Sequence, residues 1–453
     1  MKLAGLGVLV IGLGASGRAA ALVCAEGGAR VTATDLRAGA EIADVVAELD
    51  DRGVRTVLGR HDAADFAAAE LIVISPGVPL DLPELESKRD AVELIGELEL
   101  ASRLLDPAVP LAAITGSNGK STVTEWLGEM LRGAGCEAFV GGNLGRPLCD
   151  LVLEGGRPDW AVVEVSSYQL DTASRFAPQV AALLNLSPDH LDRYPSLDAY
   201  YASKLSIFDR LVPEAPGLIG PDAEVEERTR RLGDRRHAVS LEGEVRRGVF
   251  LASPARAVWR DGAGHVEDYD LGALRVAGRH NRINALCSLG LARLCGAAPE
   301  GVRRGLAGFT GLSHRMQLVR EREGVRFFDD SKGTNAGAVA AGLMGFDGER
   351  VLLIAGGKDK GTGYDELAAV VRGRVRVLLL IGEAAGALEA ALAAFVPEVV
   401  RCETLERAVV EAGRLARPGD AVLLSPACAS FDQFEDYRAR GRAFVAAVEG
   451  LDS

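Results

Sequence analysis

Three times along the chain, an apolar run of strand length ends in a glycine-rich turn and gives way to a helical period. The segments are VLVIGLGASGRAAALVCAEGG from Val8, PLAAITGSNGKSTVTEWLGEMLRGAG from Pro110 and RVLLIAGGKDKGTGYDELAAVVRG from Arg350. Strands alternating with helices of this length predict an α/β protein built on parallel sheets covered by helices. The stretches GELELASRLLDPAVP (around 97–110) and GLAGFTGLSHR (around 305–315) read as boundaries. They divide the chain into expected domains 1–96, 97–308 and 309–453, as a length of 453 residues also suggests. The segment 213–270, with charged runs and short β-like stretches, predicts no legible element and no site.

Two apolar stretches could be mistaken for membrane segments. Lys2 followed by LAGLGVLVIGLGA resembles a leader, but its glycines and the following helix-strand pattern mark a buried first strand and its turn. The run Val377 to Val396 carries Glu383 and Glu389, which excludes a span. With 48% hydrophobic and 25% charged residues the composition is that of a folded globular protein. The formal charge of −13 argues against nucleic-acid partners, which need a basic face, while leaving small anions open to local loops. The seven cysteines are an odd number at long spacings, which fits thiols in a reducing, cytoplasmic compartment.

The strongest chemical signal is Thr115-Gly116-Ser117-Asn118-Gly119-Lys120-Ser121-Thr122, lying between a strand and a helix. Such a loop aims backbone N–H groups at phosphate oxygens, and the helix N-terminus adds its dipole. In this pattern Lys120 neutralises the β- and γ-phosphates and the Ser121 hydroxyl reaches Mg²⁺. Ile114 occupies the position where the general pattern has its first glycine, so the loop is a variant. Near the N-terminus, Gly12-x-Gly14-x-x-Gly17 with Asp35 at the end of the next strand has the form of a dinucleotide fingerprint. By itself it fits NAD, FAD, another diphosphate ligand or a turn without a ligand.

Further clusters follow apolar strands, where loops gather ligands in open α/β sheets. DWAVVEVSSYQL ends a strand at Glu164, NLSPDHLDRY offers Asn185, Asp189, His190 and Asp192, and YYASKLSIF carries Lys204 on the next helix. His190, following a strand that ends beside the phosphate loop, reads as a metal ligand. Later stretches supply His280, Asn281 and Asn284 in RHNRIN, Arg315 in GLSHR, Asp330, Lys332 and Thr334 in FFDDSKGTN, and Ser430 to Tyr437 in LLSPACASFDQFEDY.

GSNGKST, EVSSYQL, SPDHLDRY, the Tyr-x-x-Lys helix, GRHNRINA, GLSHR, DDSKGTN and LLSPACASFDQF occur in that order over nearly the whole chain. Together they resemble the Mur ligases of peptidoglycan synthesis, and the GSNGKST and ACASFDQF forms resemble those that add D-glutamate. The resemblance implies a Rossmann-like N-terminal domain, a central P-loop ATPase domain and a Rossmann-like C-terminal domain. It implies a reaction in which ATP phosphorylates the carboxylate of UDP-N-acetylmuramoyl-L-alanine and the amine of D-glutamate displaces the phosphate. Phosphoryl transfer of this kind needs positioning and charge neutralisation rather than a protein nucleophile.

Roles follow from the resemblance. Gly116 to Thr122, Asn281, Asn284, Arg315 and Asp330 are expected to bind ATP. One Mg²⁺ falls to Ser121 and Glu164, and a second to His190 and a carbamylated Lys204. Gly14, Ala15, Ser16, Asp35 and Arg37 are expected to cradle the UDP moiety, with Ser75 and Asn143 completing the contacts to the sugar acid. D-Glutamate is assigned Lys332, Thr334, Lys360, Ser430, the backbone of Phe431, and Tyr437 as a wall. A monomer acting on small molecules is expected. A nicotinamide oxidoreductase would explain only the first 40 residues, and a non-catalytic nucleotide switch would leave Glu164, His190 and Lys204 without a purpose.

Overall fold

The computed structural model describes residues 1–86, 91–143, 145–189, 193–276, 278–346, 348, 350–359 and 363–452. The chain forms two compact units, one of residues 1–273 and 283–308, the other of residues 274–282 and 309–453. No helix among the described residues is long and apolar enough to cross a membrane.

The first unit holds two sheets. The N-terminal sheet contains β1 (Gly7–Ile11), β2 (Arg30–Asp35), β3 (Arg55–Leu58), β4 (Leu71–Ile74) and β5 (Glu93–Gly96), all parallel, in the order 3-2-1-4-5. Its central strands β1 and β4 are apolar from end to end, as strands buried on both faces are. The order reverses between β1 and β4, and a ligand crevice belongs at that switch point. The helix Ala15–Glu26 lies close to the first turn. A Cβ on Gly17 would meet the Gly12 carbonyl oxygen at 1.7 Å, so only glycine allows this approach.

The central sheet has nine strands: β6 (Leu111–Thr115), β7 (Ala138–Gly142), β8 (Trp160–Glu164), β9 (Val180–Leu183), β10 (Gly217–Ile219), β11 (Arg236–Ser240), β12 (Gly248–Ser253), β13 (Arg256–Arg260) and β14 (Val266–Asp270). Their order is 14-13-12-11-10-9-6-8-7, with antiparallel pairing only from β12 to β14. The illegible 213–270 segment thus extends the central sheet outward. Strand β6 sits between β8 and β9, placing the ends of three strands side by side.

The helix Glu97–Leu104 joins the two sheets through buried acids. Glu99 accepts from the Arg103 Nε at 2.6 Å and from the backbone N–H groups of Ser174, Arg175 and Phe176 at 2.9–3.0 Å. Glu97 accepts from the Cys149 N–H at 2.6 Å, and burial lifts its carboxyl pKa to about 7.

The second unit carries a six-stranded sheet of β15 (Gln317–Arg322), β16 (Val325–Asp329), β17 (Arg350–Gly356), β18 (Val375–Ile381), β19 (Glu398–Glu403) and β20 (Asp420–Leu424). The order is 15-16-20-17-18-19, with only β15 antiparallel. The loops after β16, β20 and β17 therefore lie next to one another at the C-terminal ends of three neighbouring parallel strands.

Candidate active site

The glycine-rich loop after β6 turns into the helix Lys120–Gly133 through Gly119, whose φ of +83° is left-handed. A Cβ there would also stand 2.6 Å from the Asn284 Oδ1, so glycine is required twice over. The loop is tied to the segment after β9. Ser117 N–H donates to the Asn185 carbonyl at 3.0 Å, Asn118 N–H donates to the Asn185 Oδ1 at 2.8 Å, and Ser117 Oγ donates to the Ser187 carbonyl at 3.0 Å. These bonds pre-shape the cradle before any phosphate arrives.

Two lysines converge on this loop. Lys120 Nζ donates to the carbonyls of Gly116 at 2.8 Å and Ser117 at 3.0 Å. Lys204 Nζ donates to the same Gly116 carbonyl at 2.9 Å and sits 4.7 Å above the Tyr200 ring. Only 2% of Lys204 is exposed. Burial, and next the charge of Lys120, push its pKa well below the usual lysine value, against the pull of Asp189, Glu164 and Asp171.

Glu164 closes β8 opposite Ile114, one residue before the loop begins. Its Oε1 accepts from the Asn143 Nδ2 at 2.8 Å. Its Oε2 is buried and has no hydrogen-bond partner among the described residues. This buried carboxylate oxygen without a donor is of the hard kind that Mg²⁺ takes, although no group of three or more His, Cys, Asp or Glu side chains among the described residues could hold a metal ion. His190 and Asp192 lie outside the described residues, as does Lys360.

At the N-terminal switch point, Gly14 and Ala15 are exposed, Ser16 is half-buried and Ser75 is buried. Ser75 Oγ donates to the Gly12 carbonyl at 2.7 Å. Asp35 accepts from the Leu13 N–H at 2.6 Å and from Arg37 through Nε at 3.0 Å and Nη2 at 2.7 Å. Burial raises the Asp35 pKa, but these bonds and the Arg37 charge overcome it and hold the carboxyl at about 2. Arg37 is thereby fixed beside the open turn. Asn143 stands with Glu164 rather than with this group.

In the second unit, Asp330 accepts from the Ser425 Oγ at 2.7 Å, and burial raises its pKa to about 7 against that bond and the Arg315 charge. Lys332 Nζ lies 4.1 Å over the Tyr437 ring, bringing two expected amino-acid contacts together. Thr334 N–H donates to the Lys332 carbonyl at 2.8 Å. Ser430 is buried, whereas the Phe431 side chain is 68% exposed, leaving its backbone as the usable group. Asn281 and Asn284 are both buried on the helix Arg279–Leu294.

Two residues of this region escaped the sequence reading. Arg440 is buried and donates to the Ser331 Oγ at 3.0 Å and to the carbonyls of Ser331 at 2.9 Å and of Cys428 and Ala429 at 3.2 Å. It clamps the loop after β16 to the loop after β20. His314, in the left-handed region with φ of +63°, pairs its Nδ1 with the Asp329 Oδ2 at 2.6 Å. A histidine immediately before Arg315 was the available signal for the second; nothing in the arginine-rich helix Tyr437–Glu449 singled out the first.

Residues 7–96 match the family described as Mur ligase MurD-like, N-terminal domain, residues 114–292 the Mur ligase middle domain, and residues 314–428 the Mur ligase, glutamate ligase domain. A UDP-N-acetylmuramoylalanine--D-glutamate ligase of Pelobacter propionicus is 45% identical over 98% of both chains. One of Geotalea daltonii is 43% identical over 100% of this chain and 99% of its own. Among solved structures, the UDP-N-acetylmuramate-alanine ligase of Thermotoga maritima shares the fold, with a TM-score of 0.62 at 19% identity over 98% of this chain and 99% of that one. A pseudomurein peptide ligase type C of Methanothermus fervidus gives 0.59 at 19% identity over 92% and 96%.

Proposed function

This chain belongs to the Mur ligase family, and we propose that it joins D-glutamate to UDP-N-acetylmuramoyl-L-alanine with consumption of ATP, in peptidoglycan precursor synthesis. The observation that carries the chemistry is the convergence of Lys120 and Lys204 on the Gly116 carbonyl, beside a Glu164 oxygen that lacks a donor. The positive charge of Lys120 and a cation-ready carboxylate around a pre-shaped cradle are what transfer of a phosphoryl group requires, with Lys204 held at the same carbonyl as a second group of the site.

In this reading the loop Gly116–Thr122 holds the ATP phosphates, and Lys120 leaves its loop carbonyls to neutralise their charge. Asn281, Asn284, Arg315 and Asp330 complete the ATP contacts. A carboxylate oxygen of the muramoyl substrate attacks the γ-phosphorus, and ADP departs. The D-glutamate amine then attacks the acyl carbon, loses a proton, and expels the phosphate as the amide forms. Ser121 and Glu164 would hold a Mg²⁺, and His190 with Lys204 as its carbamate would hold a second; such ions would supply charge neutralisation at the phosphoryl oxygens.

Gly14, Ala15, Ser16, Asp35, Arg37 and Ser75 receive the UDP moiety, and Asn143 the sugar acid. Lys332, Thr334, Lys360, Ser430, the Phe431 backbone and Tyr437 receive D-glutamate. In the division into 1–96, 97–308 and 309–453, the UDP contacts come from the first domain, the sugar-acid contact Asn143 and the phosphate loop from the second, and the D-glutamate contacts together with Arg315 and Asp330 from the third. The net charge of −13 supports small-molecule partners over nucleic acid.

An acyl phosphate leaves an isotopic record. With ¹⁸O in the substrate carboxylate, one labelled oxygen is expected in each phosphate released, read by mass spectrometry. Unlabelled phosphate accompanied by product would exclude the acyl-phosphate route.

A further inference from the structure

One side chain spans from the loop after β9 to the N-terminal sheet. Arg193 Nη1 donates to the Pro76 carbonyl at 2.9 Å and Nη2 to the Val78 carbonyl at 2.6 Å. The guanidinium also lies 4.0 Å over the Tyr168 ring. Two carbonyls on one turn and an aromatic face together use the planar fork in a way a lysine cannot reproduce.

Both ends of this strap lead to parts of the site. On one side, the turn Ser75–Val78 packs on the glycine turn after β1. Ser75 Oγ donates to the Gly12 carbonyl, and the Val78 side chain would stand 2.7 Å from a Cβ on Gly12. On the other side, Tyr168 stacks on Tyr194 with centroids 5.9 Å apart and planes at 16°. Tyr194 donates its hydroxyl to the Asp171 Oδ2 at 2.6 Å and rests against Tyr200 at 5.4 Å. The Tyr200 hydroxyl lies 3.3 Å from the Ser117 Oγ, and Lys204 sits above its ring. Gly12 and Ser117 are thus joined by an unbroken line of packed groups within the first unit.

We infer that Arg193 is a positioning residue that sets the distance between the glycine turn after β1 and the phosphate loop. It therefore favours ligands that reach from one to the other. The inference rests on the reading that the UDP end of the substrate sits at the first and its carboxylate at the second. A ligand confined to either end does not feel that distance. One that bridges both loses its reactive alignment when the strap is cut, and misplacement by an ångström costs up to about a hundredfold.

The experiment compares the full-length wild type with Arg193→Ala and Arg193→Lys. It measures the KM for UDP-N-acetylmuramoyl-L-alanine, the KM for ATP, the inhibition constant of UDP alone, and the thermal midpoint. The alanine variant is expected to raise the first between about ten- and a hundredfold. ATP and UDP values are expected to stay within about twofold, and lysine to restore part of the loss. An unchanged substrate KM overturns the inference. So does a parallel weakening of UDP, which would reduce Arg193 to a prop of the glycine turn, or a parallel rise in the ATP KM, which would mean general loosening. If the alanine variant has no cooperative thermal transition, Tyr168→Leu carries the test. A smaller rise in the same KM is expected, and no rise contradicts the strap. A wild type without D-glutamate-dependent turnover would instead overturn the reading of function.

Discussion

Replacing Lys120 with alanine is expected to lower ATP-dependent turnover by about a thousandfold or more. The ammonium sits over its own loop, 2.8 Å from the Gly116 oxygen and 3.0 Å from that of Ser117, where the phosphates of ATP are to lie. In a reaction without a protein nucleophile, fixed positive charge is the main lever on the barrier. The side chain is only half-buried, so the thermal midpoint is expected to move by no more than a few degrees. Steady-state ADP release and a melting curve on the same preparation check both. A folded variant keeping a tenth of the activity would show that the phosphates are neutralised elsewhere.

The second large effect is expected at Lys204. A lysine so buried, next to another cation, is driven toward its neutral form, and a neutral amine is the form that adds carbon dioxide. In that reaction the nitrogen would attack the carbon and a proton would leave to solvent, so that a carbamate anion replaces a would-be cation. That change supplies hard oxygen donors of the kind Mg²⁺ takes. Lys204→Ala is expected to lose about a hundred- to a thousandfold in turnover, with Lys204→Arg no better. Acetate or formate, which can place a carboxylate in the vacated space, is expected to restore a measurable part to the alanine variant alone. Restoration of activity by arginine, with none by small carboxylates, would show that Lys204 acts as a cation holding the Gly116 carbonyl.

The parts of this fold legible in the sequence are those where burial on both faces makes strands apolar end to end. Strands β1, β6 and β17 read plainly for that reason, and each falls in a different sheet. The segment 213–270 did not, because β10 has three residues and β14 alternates exposed and buried positions among charges. Such short, half-solvated strands carry little periodic signal. At the site, Glu164 and Lys204 could be anticipated because each follows an apolar strand whose end neighbours the phosphate loop. Arg440 and Arg193 could not. Their roles come from main-chain carbonyls distant in sequence, and an arginine reads as solvated surface until its acceptors are known.

ATP cleavage in this chain is coupled to amide formation with D-glutamate. Phosphate release from purified protein with ATP, Mg²⁺ and UDP-N-acetylmuramoyl-L-alanine, adding one amino acid at a time, tests that coupling most directly. Release is expected with D-glutamate and not with L-glutamate, L-alanine or diaminopimelate. Release with one of the other amino acids would keep the ligase chemistry and discard the assigned D-glutamate pocket, and release with none would contradict the coupling itself.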